Sequence, residues 1–486
     1  MKALLSKIFN NKVVLYMGSR YLTYALQFIT TLIVAIKLGP QEFGIWSFVL
    51  LIINFFNIVD FGISNSLNVL LVQERSSKSR CDRYIYASAI LITILSAFVI
   101  LAYFIVRFIN PEIINKYNAW QFLPIVMFVV ILAYFNKSFS AVYRVGNKLL
   151  EVAIYQSLVP VLLFASIVIF HESPLWYMTG SYLVGHVIIL IIFLRNGLTT
   201  LKQLPSFQDI KTISFKGFWL FLYNSTFYLI MYLTLLFVSK YYQVEEYGKF
   251  NFAYTLSNSI FLLVDAFGFI VFPKMLDKLK SNDYNQCRSA INMVRSNYMT
   301  LVYSLVFFAL PFFELFCSFI PKYSDCGRAL CLSAVALLPY VNAFGMNTFL
   351  IAQNKERVLS FVSLTLLLIN AILLFVFKTY MTFPFDLYFL SPMILYIIYT
   401  ISCALLTRRK MGDYSNIIET LKLSFPMNSM VFILISLICI ILSYSLKLFG
   451  ILLIPALLYG LINYRNMIDI TKTVAAIIHK PNIVDL

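Results

Sequence analysis

LGPQEFGIWSF, Leu38–Phe48, returns 204 residues later as YQVEEYGKFNF, Tyr242–Phe252, without a gap. The two stretches share Glu42/Glu246, Phe43/Tyr247, Gly44/Gly248, Trp46/Phe250 and Phe48/Phe252. Each leads into an apolar stretch that carries an acid, VDFG at 59–62 and VDAFG at 264–268, so Asp60 and Asp265 stand 205 residues apart. A further echo, GNKLLEV at 146–152 against QNKERVL at 353–359, keeps nearly the same offset, 207. Matches in the same order at nearly constant offset indicate an internal duplication.

What has been duplicated is hydrophobic. Of the 486 residues, 61% are hydrophobic and only 12% charged, with a mean hydropathy of +0.84. Runs long enough to cross roughly 30 Å of hydrocarbon recur from end to end. They predict spans at 17–36, 45–70, 85–106, 122–141, 152–170, 175–194, 218–238, 250–272, 298–319, 329–352, 358–377, 387–406, 428–445 and 449–463. Six spans separate the copies, an even number, so the halves are parallel repeats related by an axis along the membrane normal. The expected fold is an all-α polytopic membrane protein of about 14 transmembrane helices. It comprises a six-helix lobe in 1–200, a second in 201–410, and two additional helices with a tail in 411–486.

The net charge of +17 raises the question of nucleic acid. Counted by alternate sides, 27 of the 38 Lys and Arg fall with the termini, 9 on the opposite side, and Arg20 and Lys137 lie within spans. The positive-inside bias therefore places both termini in the cytoplasm, and the basic excess serves topology and anionic lipid. No nucleic-acid partner is needed. The opening MKALLSKIFNNKVV lacks a long apolar core ahead of a cleavage site, so the first helix is expected to stay as a signal anchor. Seven cysteines show no CxxC, which argues against a metal or redox centre.

The polar residues inside the spans carry the functional reading. A carboxylate in hydrocarbon costs about 3 kcal/mol on insertion scales. At 100° per residue, Asn54, Asn57, Asp60, Ser64, Asn65 and Asn68 in helix 2 fall within an arc of roughly 140°. Asn251, Asn258 and Asp265 repeat every seven residues in helix 8, and Arg20, Tyr24, Gln27 and Thr31 step along helix 1. Such stripes can be interhelical hydrogen-bond seams in a static bundle, but the acids mirrored in both halves point to Asp60 facing a hydrated cavity between the two six-helix lobes. Lys137 in helix 4, with Lys216 and Arg295 at the cytoplasmic mouths of helices 7 and 9, adds cations suited to phosphate. For Arg20 and Lys137, snorkelling or pairing with Asp60 is the competing reading, and for Lys216 and Arg295 ordinary flanking charge. His186 mid-span is a packed histidine or a proton relay, and Glu314 a surface residue near the outer end of helix 9. Trp46, Trp120, Trp176, Tyr241 and Tyr242 read as interfacial belts.

The run Leu38-Gly39-Pro40-Gln41-Glu42-Phe43-Gly44-Ile45-Trp46, followed by Asp60-Phe61-Gly62-Ile63, resembles the polysaccharide-transport branch of the multidrug/oligosaccharidyl-lipid/polysaccharide (MOP) exporters, whose members include the MATE transporters. It looks most like a Wzx-type O-antigen repeat-unit flippase, and the resemblance covers essentially the whole chain. It implies a non-enzymatic carrier in a bacterial inner membrane. Such a carrier moves undecaprenyl-pyrophosphate-linked oligosaccharide from the cytoplasmic to the outer leaflet by alternating access. It further implies no bound cofactor beyond H+ or Na+ coupling, and a monomer working in the bilayer beside an O-antigen polymerase and a chain-length regulator. The second copy departs from the pattern, with YQVEEYG for LGPQEFG. A lipid II flippase or a teichoic-acid or exopolysaccharide exporter fits the same features. A MATE-type drug exporter expects twelve helices and an acidic lumen. A membrane glycan polymerase expects a large catalytic outer loop, whereas here the longest, 107–121, holds only Arg107, Glu112 and Lys116. A static scaffold would use the intramembrane acids for assembly alone.

Overall fold

The computed structural model describes residues 12–74, 76–146, 148–170, 172–196, 204–279, 283–413 and 416–479. Among these the chain is helical throughout, with no strand. The helices are α1 Lys12–Ile58, α2 Ile63–Gln73, α3 Lys78–Ile109, α4 Leu123–Val145, α5 Leu149–Ile169, α6 Pro174–Arg195, α7 Phe207–Tyr241 and α8 Val244–Leu279. They continue as α9 Tyr284–Ser318, α10 Gly327–Val341, α11 Met346–Ala352, α12 Glu356–Val376, α13 Leu390–Lys410, α14 Ile417–Ser424, α15 Met427–Leu446 and α16 Leu453–His479.

Each of the fourteen expected spans falls on this helical framework, but segments and helices do not correspond one to one. Among the described residues, ten helices, or up to eleven with a bent pair, are long and apolar enough to cross a membrane. One of those ten, Gly18–Gln73, joins two expected spans, and α10 with α11 forms a pair bent by 43°. Helices α7 and α8 contain side chains outside the described residues and fall outside that tally.

Two breaks organise the beginning of the chain. Gly39, at φ 74 and ψ 172, interrupts α1 in a conformation open essentially to glycine, and Pro40 follows. The second break lies at 59–62, between α1 and α2, where Phe61 and Gly62 both have positive φ (49° and 70°).

The chain clusters into two compact units, Met1–Gly248 and Lys249–Leu486. In the first, α1 packs on α5 and α4, α5 on α6, and α7 lies along α2 and α3. In the second, α9 packs on α10 and on α16, α13 on α10 and α12, and α15 on α10 and α16. Helix α7 thus belongs by contact to the first unit, although by sequence duplication it opens the second copy.

The duplicated motifs meet inside the first unit. A Cβ added at Gly44 would lie 2.3 Å from the Val244 carbonyl oxygen, and one added at Gly248 would lie 2.0 Å from that of Pro40. Only glycine permits backbones this close. Around this contact Phe48 stacks on Tyr117 at 4.2 Å between centroids, and Tyr117 meets Tyr247 edge-on at 5.6 Å. The 107–121 connection also caps α7: Lys116 Nζ donates to the carbonyls of Ser239 (2.7 Å) and Tyr242, and Tyr117 Oη donates to Ser239 at 2.9 Å. Burial pushes the Lys116 ammonium below the ordinary lysine range, against the opposing pull of Glu246. Trp46 differs from an interfacial residue: it is 3% exposed and packs edge-on against Tyr182. The motif's aromatic residues face inward because the glycine contact draws the helices together around them.

Candidate functional site

The break between α1 and α2 has an identifiable local cause. Asp60 Oδ1 accepts the Gly62 N–H at 2.9 Å, the turn that an Asp side chain makes two residues on, and Gly62 supplies the left-handed residue. In a bilayer such a break requires partners for the carbonyls it frees. Tyr134 Oη donates to Phe56 O at 2.9 Å, Lys137 Nζ to Asn57 O at 3.1 Å, and Ser225 Oγ lies 3.5 Å from Ile58 O. Tyr134 and Lys137 stand three apart on α4, so one helical face serves the break. Across from it, α7 approaches through glycine: a Cβ at Gly62 would meet Gly217 O at 2.1 Å.

At the centre sits an ion pair. Lys137 Nζ lies 2.7 Å from Asp60 Oδ2, with the Asp60 side chain 5% exposed and that of Lys137 33%. The carboxylate is thus held by one cation and one backbone N–H. The ammonium also holds a carbonyl and keeps a third of its side chain open. Lys137 can exchange part of its coordination with an incoming anion while Asp60 holds it in place, which is the chemistry that pairing an acid and a base at a helix break allows.

The other candidate residues are placed separately. Arg20 donates from Nε to Tyr24 Oη at 2.7 Å, one turn on, with its guanidinium 5.4 Å from that ring's centroid. Gln27 and Asn54 are exposed, and Asn57 is half-buried and contributes its carbonyl. Lys216 donates to Gln73 Oε1 at 2.7 Å, joining α7 to the end of α2. Arg295 is 4% exposed and lines a cavity in the second unit. The backbone of Asp265 lies within α8, but its side chain is outside the described residues. Asp60, Asn57 and Lys137 are therefore brought together. Arg20 and Gln27 lie on α1 before Gly39, and Lys216 at the cytoplasmic end expected for α7.

The continuous polar stripe expected across helix 2 is not what forms. The break at 59–62 divides the stripe, leaving Asn54 and Asn57 on α1 and Ser64, Asn65 and Asn68 on α2. Tyr134, Ser225 and Gly217 complete the site without a sequence motif of their own, whereas Gly62 belongs to Asp60-Phe61-Gly62-Ile63. Asp60-Phe61-Gly62 carries the signal for the turn; nothing in the sequence marks Gly217 as its neighbour. His186 is buried, with Asn136 Nδ2 donating to its carbonyl at 2.9 Å and lying 3.2 Å from Nδ1. Glu314 is half-buried and accepts from Tyr444 Oη at 2.6 Å, so it ties α9 to α15 instead of lying free on the surface.

The described residues thus form a multi-pass helical chain with broken helices and an acid–base pair at one of the breaks. A family model described as polysaccharide biosynthesis protein matches residues 9–278, more than half of the chain, and the protein belongs to that family. No curated protein matches the sequence. Among solved structures, lipid II flippase MurJ in an inward closed conformation superposes with a TM-score of 0.65 at 16% identity, covering 94% of this chain and 100% of that one. An inward-facing multidrug resistance MATE family transporter of the MOP superfamily gives 0.66 at 13%, covering 80% and 94%. A MOP superfamily transporter from Pyrococcus furiosus, described as having a binding pocket of reversed polarity, gives 0.58 at 14%, covering 82% and 95%. The fold is therefore that of the MurJ and MATE transporters of the MOP superfamily, as the LGPQEFG and DFGI motifs imply.

Proposed function

We propose that this protein is a flippase for a lipid-linked oligosaccharide, carrying it from the cytoplasmic to the outer leaflet of a bacterial inner membrane by alternating access. The observation that carries the reading is the conjunction of family and coverage. The polysaccharide biosynthesis model spans residues 9–278, and the superposition extends over 94% of the chain with MurJ against 80% with the MATE transporter. The difference is comparable in size to 411–486, the two helices beyond the repeat. The substrate class is an undecaprenyl-pyrophosphate-linked repeat unit of O-antigen or a related surface polysaccharide. Lipid II or a teichoic-acid precursor is the second reading, favoured by the MurJ likeness itself.

In this reading Lys137 supplies a cation to the pyrophosphate, and Asp60 keeps that cation in place between turnovers. Asp60 also keeps α1 and α2 broken, so the pair and the backbone geometry stand or fall together. H+ or Na+ coupling belongs to the proposal, as do cytoplasmic termini, a monomeric state, and a polymerase and chain-length regulator as partners.

Deleting the gene in its host, with surface glycan and lipid-linked repeat units both measured, tests this. Loss of surface glycan with single units trapped on the cytoplasmic leaflet is the expected result. Single units reaching the outer leaflet without polymerisation would instead assign a polymerase role and overturn the proposal.

A further inference from the structure

The second unit holds a cavity of about 290 Å3 among α9, α15 and α16. One face of α9 lines it at Asn292, Arg295, Ser296 and Thr300, and α16 contributes Tyr459 and Asn463. These positions follow i, i+3/i+4 and i+7/i+8 spacing, so each helix presents a continuous stripe. Among the described residues, no carboxylate lines the cavity. Asn292 and Ser296 are exposed and form its mouth, whereas Arg295, Thr300 and Asn463 are buried in its wall.

Arg295 is the informative residue. Its Nη2 donates to the Ser424 carbonyl at 2.6 Å, which fixes the guanidinium, but its buried Nε has no hydrogen-bond partner. A buried, fixed cation with an unused N–H, in the wall of a cavity lined by hydroxyls and amides, is half of a charge-assisted pair. The cavity's level along α9 indicates what completes it. The helix is polar over 284–297 (YNQCRSAINMVRSN) and apolar beyond, so Arg295 sits at the junction, where lipid headgroups lie. The volume is at the small end of ligand cavities, roughly 300–1,000 Å3, which suits a headgroup and not an oligosaccharide.

We infer that this cavity is a binding site for a phosphate group carried on a membrane lipid headgroup, with Arg295 as its anchor. The site would fasten the C-terminal helix pair to α9 through a lipid. It goes beyond the flippase reading and does not depend on it.

The test is thermal unfolding of the purified full-length protein in detergent, titrated separately with dioleoyl phosphatidylglycerol, dioleoylglycerol and inorganic phosphate. The expected result is a saturable rise in Tm with phosphatidylglycerol and none with dioleoylglycerol, which lacks the phosphate. Arg295→Gln should weaken half-saturation by at least about tenfold. Ser296→Trp fills the mouth while leaving the Arg295–Ser424 bond intact, and should do the same. It carries the test alone should Arg295→Gln not fold. An Arg295-dependent rise with inorganic phosphate at comparable concentration would keep the phosphate site and assign it to a soluble anion. Equal shifts in wild type and Ser296→Trp, or equal shifts with dioleoylglycerol, would overturn the inference.

Discussion

Removing the two members of the Asp60–Lys137 pair should not cost the same. Lys137→Met leaves a carboxylate whose side chain is 5% exposed, with only the Gly62 N–H as partner. Stripping one member from a buried pair costs roughly 3–5 kcal/mol, because the remaining charge is uncompensated. Asp60→Asn is milder. The amide oxygen still accepts the Gly62 N–H, and Lys137, a third exposed, keeps the Asn57 carbonyl and reaches water. Its cost should be about 1–2 kcal/mol. The double variant removes both charges and preserves the turn, so it should cost about 2 kcal/mol, less than Lys137→Met alone. The interaction term is then about 3 kcal/mol, well outside the scatter of independent sites. Denaturant unfolding of the four proteins in one mixed-micelle system measures it. If the single costs add to within about 0.5 kcal/mol in the double variant, the ion pair does not hold the break and the account of α1–α2 is wrong.

Other consequences can be checked one by one. Gly248→Ala should destabilise the protein by about 1–3 kcal/mol through the clash with Pro40 O, while Gly18→Ala, with nothing within 4 Å, should not; paired Tm measurements decide. Asp209, in the first turn of α7, is raised by burial but lowered more by the Ser206 N–H and hydroxyl and by Arg83 at 3.2 Å, so its carboxyl lies below the ordinary range. Its stabilising contribution is full above pH ~4 and fades as pH falls through the lowered value; Asp209→Asn should therefore narrow the Tm gap between pH 6 and pH 3. Tyr444→Phe should cost about 1.5–3 kcal/mol by removing the charge-assisted bond to Glu314, read as a lower Tm, and should do so without affecting Arg295-dependent lipid stabilisation. Asp60→Asn at matched abundance should abolish glycan export while the protein remains folded in the membrane; normal export would remove Asp60 from the mechanism.

Much of the architecture was legible because hydrocarbon imposes a length on every span, and fourteen apolar runs survive as helical segments even where helices merge or bend. The duplication was legible too, since Gly44 and Gly248 had to remain glycine for steric reasons. The site was harder to read. Hydrophobic periodicity treats helix 2 as one cylinder, yet a single Asp–Gly turn at 60–62 divides it. Lys137 was visible as an anomalous cation, but its choice of Asp60 over snorkelling depended on carbonyls that only the break exposes. Arg295 read as a flanking charge because composition near a span end cannot distinguish a side chain in water from one folded into a wall.

The contact between the repeated motifs has one more implication. Under the 204-residue offset, Gly44 corresponds to Gly248 and Pro40 to Val244, so Gly44 against Val244 O and Gly248 against Pro40 O are the same contact made twice, with the roles exchanged. Reciprocity of that kind is the signature of an isologous interface between identical subunits. Each glycine thus answers to a carbonyl in the other copy, although the flanking residues differ, LGPQEFG against YQVEEYG.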